Sequence, residues 1–149
     1  MAELKVSSVA PGLTVSVQLR PEDFPLLASR GVTMVINNRP DGEEPGQLTA
    51  AQGAELASRN GIEYRHLPVV LPEISETDIR AFAGAMAAAT GLVHAHCRSG
   101  LRSVTLWALG QATAGRLTPE QAQQAVSGAG FEPKATMSWL AGHGIGLGE

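Results

Sequence analysis

Short β-branched segments alternate with segments of helical periodicity along this chain, and this alternation limits the fold more than any other feature. The predicted strands span residues 13–18, 32–38, 62–71 and 91–96, the third of them running into a proline-bounded loop. The predicted helices span residues 20–31, 48–61, 75–91, 103–115, 117–130 and 134–140. A parallel pair of strands needs a crossover connection, and a helix lies between successive strands here. The pattern therefore predicts an α/β fold, a three-layer sandwich with a mainly parallel central sheet flanked by helices.

Two of the predicted helices begin with specific capping signals. Ser75 is followed three residues later by Asp78, and Thr118 is followed by Pro119 and then by Gln121. A hydroxyl at the N-cap and an acid or amide three residues later bind each other's backbone N–H groups, and proline is favoured at the first helical position. These signals predict helix starts at Ser75 and Thr118.

Length and composition limit the organisation and the surroundings of the protein. With 149 residues the chain suits one domain, over residues 1–149. Its formal net charge of −3 gives no basic field, so we expect neither nucleic acid nor a membrane as a partner. The sequence shows no signal peptide and only one cysteine, which indicates a reducing, cytoplasmic location. A homo-oligomer is compatible with the sequence.

The only cysteine lies in the stretch HAHCRSGLRSVTLWAL, between a predicted strand and a predicted helix. In a parallel sheet, ligands bind beyond the carboxyl ends of the strands, where helix N-termini and loop N–H groups attract anions. Cys97 is the predicted nucleophile, because the same positive potential favours its thiolate. The predicted anion-binding loop comprises Arg98, Ser99, Gly100 and Leu101, with Arg102 as a bidentate oxyanion ligand and Ser103 as a hydroxyl donor to the sulfur.

The stretch HCRSGLRS resembles the active loop of cysteine-dependent phosphatases of the dual-specificity type. The segments MVINNRPDGEEPGQ and YRHLPV extend this resemblance, which spans roughly residues 6–140. Together they resemble a bacterial family of small dual-specificity-phosphatase-like proteins, whose domain is also found fused to metallo-β-lactamase-type hydrolases. The resemblance implies a dual-specificity-phosphatase-like fold and an active Cys97.

The length of the loop departs from the phosphatase pattern. Such phosphatases place five residues between cysteine and arginine, whereas four residues separate Cys97 from Arg102. A loop of this length resembles that of rhodaneses, which carry sulfur on the cysteine as a persulfide. The interpretation is a sulfurtransferase that takes sulfur from a small anionic or sulfane-sulfur substrate and passes it to a thiol acceptor. The sulfurtransferase interpretation implies no metal and no organic cofactor.

The alternative interpretation is phosphate-ester hydrolysis through a phosphocysteine, which needs a general acid. The resemblance implies an acid after the strand YRHLPV, where Glu73 is a candidate and where Asp78 is better explained by its helix N-terminus. Asp41 lies in a loop at the same end of the sheet and is the other candidate. General acid catalysis contributes about 10²–10⁴-fold, whereas sulfite or a thiolate leaves with little protonation. A non-enzymatic anion-binding module is the third hypothesis.

Two further groups of residues have two interpretations each. His94 and His96 point the same way on one strand, with His66 nearby, but no metal-ligand spacing completes them. We therefore expect His94 to be a buried, hydrogen-bonded residue and His96 to support the loop backbone. The segment NNRPDGE either lines the site or forms a turn with a solvated pair of Arg39 and Asp41.

Overall fold

A computed structural model describes residues 4–71 and 73–144 of the chain. The strands are β1 (Val6–Ala10), β2 (Leu13–Ser16), β3 (Val32–Asn37), β4 (Glu63–His66) and β5 (Leu92–His96). The helices are α1 (Asp23–Ser29), α2 (Ala50–Arg59), α3 (Glu76–Ala88), α4 (Leu101–Thr113), α5 (Pro119–Gly128) and α6 (Lys134–Gly142). No helix in the described ranges is long and apolar enough to cross a membrane.

The strands form one sheet in the order β1-β2-β5-β3-β4. The pairs β2–β5, β5–β3 and β3–β4 are parallel, which confirms the predicted mainly parallel sheet. Strand β1 is an antiparallel edge strand, with Val6 opposite Ser16, and sequence analysis did not identify it. Its five residues are exposed or only partly buried, so they lack the apolar run of the inner strands.

Helices cover both faces of the sheet, and this arrangement confirms the predicted three layers. On one face, Phe24 of α1 and Ala57 of α2 pack with Val35 of β3. On the other face, Phe82 of α3 and Leu106 of α4 pack against the sheet in a second buried cluster. Fully burying one such large apolar side chain stabilises the fold by about 1.5–3 kcal/mol. The packing on both faces therefore holds the ends of the strands, and the loops that follow them, in fixed positions.

Both predicted capping boxes are present in the structure. The Ser75 side chain accepts from the Asp78 N–H, and Thr118 accepts from Gln121, with Pro119 as the first residue of α5. A third capping box, at Thr49 and Gln52, begins α2. Local sequence signals therefore define these helix starts, as expected for contacts made within one turn.

Helix α4 begins two residues earlier than the sequence pattern suggests. Its first residue is Leu101, and the N-cap is Gly100, with a left-handed φ of 104°. Arg102 and Ser103 consequently belong to the first turn of the helix rather than to the preceding loop. Their side chains are therefore held by helical geometry.

Candidate active site

Cys97 lies at the centre of the carboxyl edge of the sheet. It follows β5, whose last residue, His96, is in register with Ser16 of β2 on one side and with Asn37 of β3 on the other. Neighbouring strand ends therefore surround the cysteine. This is the position at which parallel α/β sheets bind ligands.

The loop after Cys97 closes tightly around the sulfur atom. The side chain of Cys97 is fully buried, and the Gly100 N–H donates to its Sγ at 3.0 Å. The next amide, that of Leu101, donates to Ser99 Oγ at 3.2 Å. A Cβ at Gly100 would lie 2.9 Å from the Phe131 ring, and the left-handed φ disfavours any other residue. Glycine is therefore required for an N–H group to reach the sulfur.

Arg102 is held by a carboxylate from the opposite side of the site. Its Nη1 and Nη2 donate to Glu43 Oε2 and Oε1 at 3.0 and 2.8 Å, and Nη1 also donates to Val69 O at 3.2 Å. A guanidinium has five N–H groups in one plane, and these bonds use three of those of Arg102. The other two, on Nε and Nη2, form a fork along one edge that suits two oxygens of an oxyanion. The bidentate contact of Arg102 in the structure is thus made with the Glu43 carboxylate, whereas the prediction was a bidentate contact with a bound oxyanion.

Glu43 and Glu44 connect a buried arginine to the arginines of the loop. Arg39 is fully buried and donates to Glu43 at 2.9 Å, to Glu44 at 3.0 Å and to Gln18 at 3.1 Å. Glu44 also lies 3.9 Å from the exposed guanidinium of Arg98. Three arginines thus share two glutamates, which leaves a net charge of +1 on this group of side chains.

The pKa of Glu43 lies below its ordinary value. The hydrogen bonds from Arg102 are the largest cause, those from Arg39 add to them, and partial burial acts in the opposite direction. Glu43 is therefore ionised at neutral pH. This charge state suits a residue that positions Arg102 and does not suit a general acid.

The structure corrects the role predicted for Ser103. This buried hydroxyl donates to Asn38 Oδ1 at 2.8 Å, so its one hydrogen is not directed at the sulfur of Cys97. Asn38 in turn donates to Leu67 O at 2.9 Å. Ser103 therefore fastens the first turn of α4 to the end of β3.

The two candidate general acids are engaged elsewhere or exposed. Asp41 Oδ1 accepts from the N–H of Ala50 at 2.8 Å, so this carboxylate caps α2. Glu73 is exposed on the segment before α3. In the ranges 4–71 and 73–144, the hydrogen bond found for the Cys97 sulfur comes from Gly100 and neither carboxylate contacts it. The structure also corrects the alternative of a solvated Arg39–Asp41 pair, because Arg39 is buried and pairs with Glu43 and Glu44.

The histidines lie beneath the site and are engaged with the protein. His94 is buried, with Nδ1 2.8 Å from Thr14 Oγ1 and Nε2 2.7 Å from Ser16 Oγ, as expected for a hydrogen-bonded core histidine. His96 is also buried and interacts with the backbone of Cys97, although its Nδ1 has no partner among the described residues. His66 Nε2 lies 2.9 Å from Arg39 O. No group of three His, Cys, Asp or Glu side chains in the described ranges could hold a metal ion.

Acidification is expected to destabilise the protein below about pH 6.5, the pKa of an unfolded histidine. Burial lowers the pKa of His94 to about 4 and that of His96 to about 3. Between these values and 6.5 the unfolded chain binds protons that the folded protein does not bind. The free energy of unfolding therefore decreases as the pH is lowered, with a slope that approaches about 1.4 kcal/mol per pH unit for each histidine well below pH 6.5.

Urea denaturation between about pH 7 and pH 5 measures this slope before most carboxylates titrate. In His94→Gln, an amide can still bond to Thr14 and Ser16, and the slope should be about half as steep. A stability that stays constant over this range would contradict the assignment of both histidines as neutral in the folded protein.

Sequence analysis did not single out Glu43, Glu44 or Asn38, although one of its two interpretations placed the segment NNRPDGE, which contains Asn38 and Glu43, along the site. The available signal was the segment NNRPDGEE, which places three acids after the end of β3, the strand next to β5. The partners of these acids depend on the path of the loop between β3 and α2. Arg39 is buried along that path, and no local pattern in the sequence reveals this burial.

Comparisons with known proteins agree with this architecture. Residues 5–114 match the family described as the phosphatase-like domain of beta-lactamase hydrolase-like proteins. The beta-lactamase hydrolase-like protein of Agrobacterium fabrum (strain C58) is 41% identical over 137 residues, which are 92% of this chain and 32% of that protein. A protein of the same description from Xylella fastidiosa (strain Temecula1) is 35% identical with the same coverage. The chain thus spans about a third of the length of these relatives.

A solved structure supports the same relationship. A protein from Neisseria meningitidis Z2491, called a "putative phosphatase", superposes with a TM-score of 0.82 at 28% identity, covering 91% of this chain and 96% of that one. The comparisons confirm the phosphatase-like fold and the family resemblance. They give no support to the sulfurtransferase interpretation, and they favour the phosphatase alternative over it.

Proposed function

Because the chain belongs to the family of phosphatase-like domains of beta-lactamase hydrolase-like proteins, we propose that it is a cysteine-dependent group-transfer enzyme, and that the group carried by Cys97 is a sulfane sulfur. One observation carries the choice of sulfur. In a loop with four residues between Cys97 and Arg102, the Gly100 N–H already donates to the cysteine sulfur at 3.0 Å.

The size of the loop favours a single atom over a phosphoryl group. A transferring phosphoryl group carries three equatorial oxygens, and each of them needs donors in the transition state. Here the Gly100 N–H donates to Cys97 Sγ and the Leu101 N–H donates to Ser99 Oγ. Neither N–H group is therefore available to a phosphoryl oxygen. One sulfur atom bonded to Cys97 needs fewer hydrogen-bond donors from the loop than a phosphoryl group does.

The proposed reaction begins with the Cys97 thiolate attacking the outer sulfur of a donor such as thiosulfate. A new S–S bond forms on Cys97, the S–S bond of the donor breaks, and sulfite leaves with the electron pair. The Nε and Nη2 fork of Arg102 would bind the oxygens of the departing group. An acceptor thiolate then attacks the outer sulfur and releases Cys97 as a thiolate.

The position of the carboxylates also favours this chemistry. Sulfite and thiolates are stable anions, so they leave without a strong general acid. Hydrolysis of an alkyl phosphate needs such an acid, and Asp41 and Glu43 are engaged with α2 and with two arginines. The site therefore has a nucleophile and an oxyanion ligand, which are the two parts that sulfur transfer requires.

Phosphate-ester hydrolysis is the second candidate function, and the family relationship favours it. Cys97 would form a phosphocysteine, and Glu73, which is exposed on the segment before α3, would have to reach the leaving oxygen. Hydrolysis of an aryl phosphate depends least on a general acid, because its leaving group needs little protonation.

Loop length is expected to decide between the two reactions. Thiosulfate sulfurtransfer and aryl-phosphate hydrolysis are measured for the wild type and for a variant with one glycine inserted between Leu101 and Arg102. The wild type should transfer sulfur, and the longer loop should lose sulfur transfer and gain phosphate hydrolysis. Efficient hydrolysis by the wild type, with no reaction of thiosulfate, would overturn the proposal in favour of the phosphatase.

A further inference from the structure

A groove opens beside the Cys97 loop, between that loop and helix α6. Leu101 forms one wall, Leu71 and Ile74 form a second, and Ala135 and Trp139 of α6 form the third. Its volume is about 620 Å³. A second groove, of about 710 Å³ between α3 and α4, shares no residue with the loop. The groove beside α6 therefore borders the loop at Leu101.

Two lining residues of this groove are close in the chain to residues of the site. Leu101 is the residue between Gly100, whose N–H reaches the sulfur, and Arg102. On the opposite wall, Leu71 is two residues from Val69, whose carbonyl accepts from Arg102 Nη1 at 3.2 Å. A molecule lying in the groove would therefore have one end at Leu101, which directly precedes Arg102 in the chain.

The walls of the groove are fixed in position. Trp139 Nε1 donates to Ile74 O at 2.7 Å, which ties α6 to the opposite wall. The Trp139 ring also stacks on His143, with centroids 3.7 Å apart. Side chains held in this way form a preformed binding surface, and preformed sites bind with a smaller loss of conformational entropy.

The size and the lining of the groove indicate an organic occupant. Pockets for small organic molecules typically measure about 300–1,000 Å³ and are mostly apolar with a few polar groups. Thiosulfate, sulfite and cyanide need neither this volume nor the apolar walls formed by Leu71, Ile74 and Leu101. The inorganic donor can be bound by Arg102 alone, which leaves the groove for the other substrate.

We propose that the groove binds the apolar body of an organic thiol, and that this thiol is the sulfur acceptor. The inference rests on the proposed sulfur transfer. The acceptor thiolate, after releasing its proton to solvent, attacks the outer sulfur of the Cys97 persulfide. The new S–S bond forms on the acceptor, the bond to Cys97 breaks, and Cys97 leaves as a thiolate. The product is an organic persulfide, and no oxidant or reductant is consumed.

Two thiols of similar acidity test the groove, because they differ in their apolar body. Phenylmethanethiol and 2-mercaptoethanol are compared as acceptors from thiosulfate-loaded enzyme, with cyanide as an acceptor that has no organic body. Ala135→Trp fills the groove, and Ala141→Trp is the matched control, because Ala141 is an exposed residue of the same helix that does not line the groove. Ser138→Trp is a second blocking variant from an exposed position on the groove wall.

In the wild type, kcat/KM for phenylmethanethiol should exceed that for 2-mercaptoethanol by at least about tenfold, from burial of the ring. Ala135→Trp and Ser138→Trp should abolish this preference, while cyanide turnover stays within about twofold. Ala141→Trp should keep it. Equal rates for the two thiols in the wild type, or a preference that both blocking variants retain, would overturn the inference. A failure of thiosulfate to load Cys97 would instead overturn the proposed function.

Binding of benzyl methyl sulfide, measured by calorimetry, tests the groove without any sulfur transfer. The wild type and Ala141→Trp should bind it, and both blocking variants should lose binding. Binding that is unchanged in the blocking variants would contradict the assignment of the groove.

Discussion

Cys97→Ser is expected to abolish sulfur transfer, with a loss of at least about a thousandfold. A serine hydroxyl is not ionised near neutral pH, and no base in the described site contacts this position, where the hydrogen bond found comes from the Gly100 N–H. Serine also cannot carry sulfur as a persulfide. Intact mass after exposure to thiosulfate should show the gain of one sulfur atom in the wild type and no gain in the variant.

The control for this prediction is the stability of the variant. Serine is close to cysteine in size and can accept from the Gly100 N–H, so the urea midpoint should stay near that of the wild type. Labelling of the folded Cys97→Ser protein by one sulfur atom would contradict the role of Cys97 in any of the proposed reactions.

Arg102→Lys is expected to lower kcat/KM for thiosulfate by about a hundredfold. Lysine retains the charge but lacks the planar fork. The guanidinium of Arg102 holds Glu43 and Val69 with one set of N–H groups and offers the other set to a substrate oxyanion, which one ammonium cannot do. Steady-state kinetics with thiosulfate measures the effect.

The matched control is Arg59→Lys, the same substitution at an exposed position of α2, which should leave kcat/KM unchanged. Glu43→Gln provides a second comparison, because it weakens the hold on Arg102 without removing the guanidinium. It should lower kcat more than it raises KM for thiosulfate, and Glu43→Asp should recover part of the loss. A wild-type rate in Arg102→Lys would show that charge alone is sufficient and that the fork has no role.

The sequence was sufficient where the deciding contacts are local. The capping boxes at Ser75 and Thr118 lie within one turn, and the inner strands carry apolar β-branched runs, so both were predicted correctly. The loop after Cys97 was also predictable, because strand, glycine and helix follow one another directly in the chain. In each case the relevant partners are a few residues apart.

The sequence was insufficient where partners are distant along the chain. Ser103 was predicted to act on the sulfur and instead bonds to Asn38, which lies at the end of another strand. The pairing of Glu43 with Arg102 was missed because this contact exists only when β3 and β5 are neighbours. Strand β1 was missed because an edge strand packs on one side and needs little apolar character.

The bridge from Arg39 through Glu43 to Arg102 has a consequence for how this chain can evolve. Glu43 pairs with a fully buried guanidinium while it holds Arg102, the proposed oxyanion ligand, so we expect a substitution at this position to change fold stability and chemistry together. For that reason we expect few substitutions of Glu43 to be tolerated during evolution. The groove residues Ala135 and Ser138 carry no such double role, and substrate preference can diverge there among descendants while the reaction is inherited unchanged.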